Sequence, residues 1–384
     1  MKDENEGVRE KLGRNNMISK VYVCYLNDEK QRSNQKKIES LFVAAGFDKL
    51  VQPGDMAAIK LHIGEAGLDT YLNPIFVKPV VDKIKECKGV PFLTDTNTLY
   101  SGSRNDSPTH IMTAVSHGFG TQVTGAPFVV ADGLKGNSYR RVEIGKKHIK
   151  KAAIANDILD ADFLLSFSHF KGHELAGFGG AIKNIAMGCA PPVGKKEQHQ
   201  IKLVASKTKC VGCSRCIKSC PVSAISFNEE KKAIINQDIC IGCGECMTVC
   251  SAKAIRLDWR TDIKDFLERM TEYAYAALDG KKGKTAFITL VASVTPLCDC
   301  VPWSDAPLVA DIGFLASTDP VAIDQAALDH INDQVGLADS HLGKEIPRGE
   351  DKFLALRPNV DGQHALLYAE QLGMGSRKYE LIKV

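Results

Sequence analysis

The chain has 384 residues, a formal net charge of +3, and hydrophobic and charged fractions typical of soluble globular proteins. That length calls for two or three domains. The near-neutral charge offers no basic surface to nucleic acid, and no apolar run is long enough to span a bilayer. The charged start, residues 1–20, has no apolar signal core, so the expected location is the cytoplasm. There thiols stay reduced and free to bind metal, which makes metal chemistry the expected use of the thirteen cysteines.

In chain order, residues 21–26 read as a first strand and 36–47 as a helix ending near Gly46. Residues 57–63 form a buried strand pattern running into His62. A helix is expected from Asn73-Pro74 to about Cys87, and a strand over 91–97 carries Asp95. Ser107-Pro108 opens a helix that stops near Gly118. Residues 133–147 read as a hairpin excursion and 162–167 as a buried strand. This strand–helix alternation indicates α/β architecture with a mostly parallel sheet, in which ligands bind at the carboxyl ends of strands.

The next stretch carries candidate chemistry. His169, Lys171 and His173 cluster at a strand end, and with His62 and Asp95 they are the candidate catalytic residues. A glycine-rich turn with Gly177, Gly179 and Gly180 leads into a helix from Ala181 that carries Lys183 and Asn184. Glycines allow close backbone approach, and a helix N-terminus favours an anion. These five residues are therefore the candidate cofactor-binding set, for a phosphate or carboxylate. Residues 191–199 read as a linker.

Two matched runs follow: Cys210-Val-Gly-Cys213-Ser-Arg-Cys216-Ile-Lys-Ser-Cys220 and Cys240-Ile-Gly-Cys243-Gly-Glu-Cys246-Met-Thr-Val-Cys250. Each is C-x2-C-x2-C-x3-C, a spacing that puts three thiolates on one [4Fe–4S] cluster and sends the fourth to the other. The expected wiring is Cys210, Cys213, Cys216 and Cys250 on one cluster, and Cys240, Cys243, Cys246 and Cys220 on the second. The segment resembles a bacterial two-cluster ferredoxin. It departs from that pattern in one place: Pro221 follows Cys220, but Ser251 follows Cys250. Short strand patterns follow each run, at 224–227 and 254–257.

The α/β rhythm then resumes with a helix over 259–278, a strand over 284–293, and another over 308–316 containing Asp311. Thr318-Asp319-Pro320 caps a helix. The tail from His341 has helical patches. Neither flank is complete alone, so residues 18–200 and 259–384 read as one α/β domain with a mostly parallel sheet. Residues 201–258 read as an inserted α+β two-cluster ferredoxin domain. Cys298-Asp299-Cys300 places two sulfurs close together and, with Cys189, forms the candidate site for an additional metal or third cluster.

The run from His169-x-Lys171-Gly172-His173 to Met187-Gly188-Cys189 looks like the DUF362 family of iron–sulfur proteins. So do Cys298-Asp299-Cys300 and Asp311-Ile-Gly-x-x-Ala-Ser317-Thr-Asp319-Pro320-Val-Ala-Ile-Asp324. The resemblance covers most of residues 21–333 and implies an architecture more than a reaction. More remotely, the α/β domain is similar to the nickel-pincer lactate racemase family, whose site uses histidines and a lysine. His169, His173, Lys183 and His199 are the residues that resemblance would involve.

The expected function is an iron–sulfur oxidoreductase relaying single electrons between two [4Fe–4S] clusters and a strand-end pocket. The expected partners are an electron donor or acceptor protein such as a ferredoxin or flavodoxin, and an anionic small-molecule substrate. No dinucleotide fingerprint follows the first strand, and a flavin is left open. Two other classes stand beside this reading: a dedicated electron carrier without its own substrate, and a metal- or nucleotide-dependent isomerase or racemase.

Overall fold

A computed structural model describes residues 18–27, 30–100, 102–200, 202–220, 222–240, 245–258 and 262–384. The charged leader up to Met17, the insertion start at Ile201, Pro221, Cys243 and the expected helix start at Trp259 lie outside the described residues.

Among the described residues the main sheet has eight strands. In chain order they are β1 (Ser19–Tyr25), β2 (Met56–Lys60), β3 (Val90–Asp95), β4 (Phe128–Val130), β5 (Phe163–His169), β6 (Thr285–Val291), β7 (Gly313–Ser317) and β8 (Tyr379–Lys383). Their order across the sheet is β8-β1-β7-β6-β5-β2-β3-β4. Strand β7 is antiparallel to both its neighbours, and every other pairing is parallel. The fold is therefore α/β with a mostly parallel sheet.

Both faces of the sheet's centre are covered, which is why β2, β5, β6 and β7 are buried along almost their whole length rather than alternating. Along β5 the side chains divide by parity. Phe163, Leu165 and Phe167 join the core beneath helices α1 (Asn34–Ala44) and α2 (Lys78–Glu86). Leu164 faces the other core. There the sheet meets α3 (Ala181–Gly188), α4 (Ile263–Leu278), α5 (Pro320–Asn332) and α6 (Gln363–Gln371).

Strands β1 to β5 precede the cysteine-rich segment and β6 to β8 follow it, so both flanks build one sheet. The segment has its own small apolar cluster, in which Leu203, Ile225 and Ile255 pack with Cys210, Cys216 and Cys246. Ile225–Phe227 pairs with Ala233–Ile235, and Lys202–Ala205 pairs with Ile255–Asp258, both antiparallel. Gly212 has φ +68°, and a Cβ there would sit 2.9 Å from the Lys231 carbonyl oxygen. The tight loop between the first two cysteines thus requires glycine.

Three local expectations are corrected. Residues read as a linker form the helix Pro192–His199, because a proline at the first helical turn starts a helix as readily as it ends one. Asp311 lies before β7, not in it, and its carboxylate accepts a hydrogen bond from the Ser293 N–H at 2.6 Å. The tail ends in β8, an edge strand whose exposed residues give it no buried-strand signature. Among the described residues no helix is long and apolar enough to cross a membrane.

Candidate functional site

The carboxyl ends of β2 and β3 and the loops after β5 and β6 surround a cavity of about 450 Å³. It is lined by Lys60, His62, Asp95, Arg104, His173, Lys183, Lys195, His199 and Cys300, among others. Four of its lining residues are Lys or Arg and two are carboxylates, Asp95 and Glu174, so the wall favours an anion.

Lys60 ends β2 on the side facing α3. Its Nζ donates to Asn184 Oδ1 at 2.6 Å and lies 3.2 Å from Asp95 Oδ1, with both side chains buried. A side chain at Gly188 would occupy the space of the Lys60 Cε, so that glycine makes room for the buried lysine. Burial alone would raise the pKa of Asp95, but the charges of Lys60 and then Arg104 overcome it and hold the carboxyl well below its usual range. Asp95 Oδ2 has no hydrogen-bond partner among the described residues, and the Arg104 guanidinium is 3.6 Å away. Arg104 is fixed by Glu65 (3.2 Å) and Tyr100 (2.6 Å), and Ser103 donates twice to Glu65.

The histidines are held neutral. His62 Nδ1 accepts from the Gly64 N–H, and its Nε2 faces Arg104 at 3.1 Å. Burial, then the Arg104 charge, keeps His62 well below the ordinary histidine range. His173 Nδ1 accepts from the Leu175 and Ala176 N–H groups at 3.2 and 3.0 Å. This network puts the proton of its neutral ring on Nε2. Burial and the neighbouring Lys183 hold the His173 pKa down. His199 is lowered to about 3 by the same two causes. Burial lowers Lys183 to about 8, against the opposing charge of Asp299.

The sequence-derived candidates separate here. His62, Asp95 and His173 line the cavity, as do Lys183 and Asn184. His169 and Lys171 do not. His169 shares the parity of Phe163, Leu165 and Phe167 and lines a second cavity of about 560 Å³ with Tyr71, His117 and Asp311. Its two ring nitrogens face Asp299 Oδ2 (3.2 Å) and the Ala292 carbonyl (2.7 Å). Lys171 is buried against Asp299 Oδ1 (2.5 Å) and Thr70. Both therefore anchor the Cys298–Cys300 loop from behind.

The expectation that the N-terminus of α3 receives a ligand anion is also corrected. Asp324 of α5 already occupies it, accepting from the Ala181 and Ile182 N–H groups at 2.6 and 2.9 Å. A Cβ at Gly180 would fall on the Asp324 carboxylate, and one at Gly177 would meet Val360 and Gly362. Gly177–Gly179 pairs with Lys171–His173 as a small antiparallel ribbon. The glycines thus serve close packing of the chain on itself.

The proposed third sulfur is not brought in. The sulfurs of Cys298 and Cys300 lie with a His173 ring nitrogen in a group whose atoms are all within 4.8 Å of one another, and Cys189 is not part of it. Cys189 ends α3 fully buried, and burial pushes its thiol up to about 12. Cys298 and Cys300 are paired as a disulfide. Lys60, Arg104, Tyr100 and Lys195 were missed by sequence reasoning. A lysine inside an otherwise apolar buried strand was the available signal for Lys60.

The cysteine segment adjoins this cavity. Leu99 lines the cavity and also packs against the segment's apolar cluster. The helix Pro192–His199 turns Lys195 and His199 to the cavity, while Lys196 Nζ donates to the Cys240 carbonyl at 2.9 Å and lies 3.6 Å from its Sγ. Cys210, Cys213, Cys216 and Cys250 line one small cavity of their own.

Fold and site together define an α/β protein with a cationic pocket at its strand ends and a cysteine-rich segment against that pocket. The chain belongs to the family described as "Domain of unknown function (DUF362)", whose model matches residues 57–329. Among solved structures it is similar to the lactate racemase apoprotein from Thermoanaerobacterium thermosaccharolyticum, at 14% identity and a TM-score of 0.39. That match covers 71% of this chain and 51% of the racemase, so the chain spans about half the racemase's length. No curated protein matches the chain.

Proposed function

We propose that the protein is an iron–sulfur oxidoreductase whose cysteine segment holds two [4Fe–4S] clusters and exchanges single electrons with a small anion in the strand-end pocket. The observation that carries this reading is the convergence of Cys210, Cys213, Cys216 and Cys250 on one cavity. Three come from the first run and one from the end of the second, which is the exchange of ligands the spacing calls for.

The donor set also fits. Backbone N–H groups of Ala233, Ala224 and Ala254 donate to the sulfurs of Cys210 (3.4 Å), Cys220 (3.2 Å) and Cys250 (3.2 Å). Such bonds stabilise thiolate charge. Cys220, Cys240 and Cys246 are left for the second cluster together with Cys243. When bound, the clusters supply low-potential one-electron chemistry.

The residues around the pocket have separable tasks. Lys183 and Arg104 attract the anion. Asp95, locked to Lys60, fixes the pocket floor. His173 presents an N–H from Nε2, and a neutral imidazole can pass a proton when charge develops beside it. A soluble carrier such as a ferredoxin or flavodoxin in the cytoplasm would exchange electrons with the segment.

The test is voltammetry of anaerobically purified protein with a panel of small carboxylates and phosphate. At least one anion is expected to shift the cluster potential in the wild type and not in Lys183→Met, at equal iron content. Clusters unable to cycle with any low-potential donor would end the oxidoreductase reading.

A further inference from the structure

The Cys298–Cys300 pair is not used by the one-electron relay, yet it forms part of the pocket wall. Cys300 lines the cavity, and Lys183 Nζ lies 4.0 Å from Cys298 Sγ. A His173 ring nitrogen completes a group with the two sulfurs within 4.8 Å. The residue between the cysteines is tied down from behind. Asp299 is buried and holds His169 and Lys171, while its carbonyl accepts from the Glu65 N–H at 2.9 Å. Tyr100 Oη lies 3.2 Å from the Cys300 carbonyl oxygen and follows Leu99, the residue packed on the cysteine segment. The pair thus sits on a rigid loop, faces the pocket, has a cation beside one sulfur, and is reached through two adjacent residues from the proposed clusters.

We propose that Cys298 and Cys300 are a redox-active dithiol/disulfide couple that stores two electrons at the wall of the pocket. The reaction balances as one disulfide plus two electrons and two protons giving two thiols. The Sγ–Sγ bond breaks and two S–H bonds form. The electrons come singly from a low-potential donor. On the relay reading, on which this part rests, that donor is the reduced iron–sulfur centres. The ammonium of Lys183 stabilises the thiolate formed at Cys298 as the bond opens, and opening it frees Cys300 toward whatever the pocket holds. Exchange with an external dithiol needs no cluster and follows ordinary thiol–disulfide chemistry.

The experiment is differential alkylation of the native holoprotein at a series of dithiothreitol poises, followed by mass spectrometry of the peptide carrying both cysteines. The expected result is no label at the oxidising end, two labels at the reducing end, and a single transition between them. Cys298→Ser and Cys300→Ser should each give one label at every poise, while Cys189→Ser should leave the transition in place. Two labels at every poise, including in excess oxidised dithiothreitol, would overturn the proposal, as would a peptide that never becomes labelled without denaturant. A second arm replaces dithiothreitol with reduced methyl viologen and compares wild type with Cys216→Ala. Reduction faster in the wild type supports electron supply through the segment. Equal rates would remove the relay while leaving the couple intact.

Discussion

The cysteine segment and the strand-end pocket carry chemistry in opposite ways. In the segment the cysteines of each run recur every three or four residues, so local spacing gathers three of them and only the fourth comes from the other run. Its apolar cluster is small, with Cys210, Cys216 and Cys246 among its buried members. In the pocket, Lys60, Asp95, Arg104, His173, Lys183 and Cys300 come from distant parts of the chain. Their positions depend on the whole sheet and on buried ion pairs. On the proposed reading one region depends on what it binds, the other on how the chain folds. Their contact through Leu99 and Lys196 is what makes the two regions one candidate machine.

Perturbations that should hit one region and spare the other test that contrast. The largest effect is expected from Cys216→Ala, which removes a ligand from one cluster. Iron should fall from about eight to about four per chain, with near-native circular dichroism from the α/β region. Asp95→Asn should do the reverse. It leaves Lys60 buried without its counter-charge, a loss of about 3–5 kcal/mol, read as a lower urea midpoint with iron stoichiometry retained before unfolding.

A smaller effect is expected at Asp324. Burial raises its pKa to about 7, from an ordinary 3.8, and Asp319 adds to the rise. Its contribution to stability is therefore full below the ordinary value and is lost as pH rises through about 7. Asp324→Asn should flatten that part of the stability profile, as measured by urea unfolding at several pH values. The smallest effect is expected from Lys196→Met, which removes a cation 3.6 Å from Cys240 Sγ. The reduction potential of the second cluster should fall slightly, seen by voltammetry, with the pocket unchanged.

The parts legible in the sequence follow the same division. Cysteine spacing is local, so the ligand runs could be read directly, and strand ends rich in polar residues located the pocket. What escaped was set by tertiary packing. His169 and His173 are four residues apart and look equivalent, but His169 is the last residue of β5 and shares the side of Phe163, Leu165 and Phe167, whereas His173 lies beyond the strand in the Lys171–His173 ribbon. The glycine-rich turn before α3 looks like an anion cradle, but Asp324, far along the chain, already fills it. Arg104 carries no motif, and Glu65, Tyr100 and His62 hold it at Asp95. Strand β8 is an exposed edge, so burial left no pattern in it.

The central claim is that the cysteine segment holds two cubane clusters, and counting metal tests it most directly. Iron, zinc and acid-labile sulfide should be quantified in anaerobically purified protein. The expected result is about eight irons and about eight sulfides per chain. Zinc at one or two per chain, or iron without sulfide, would contradict it.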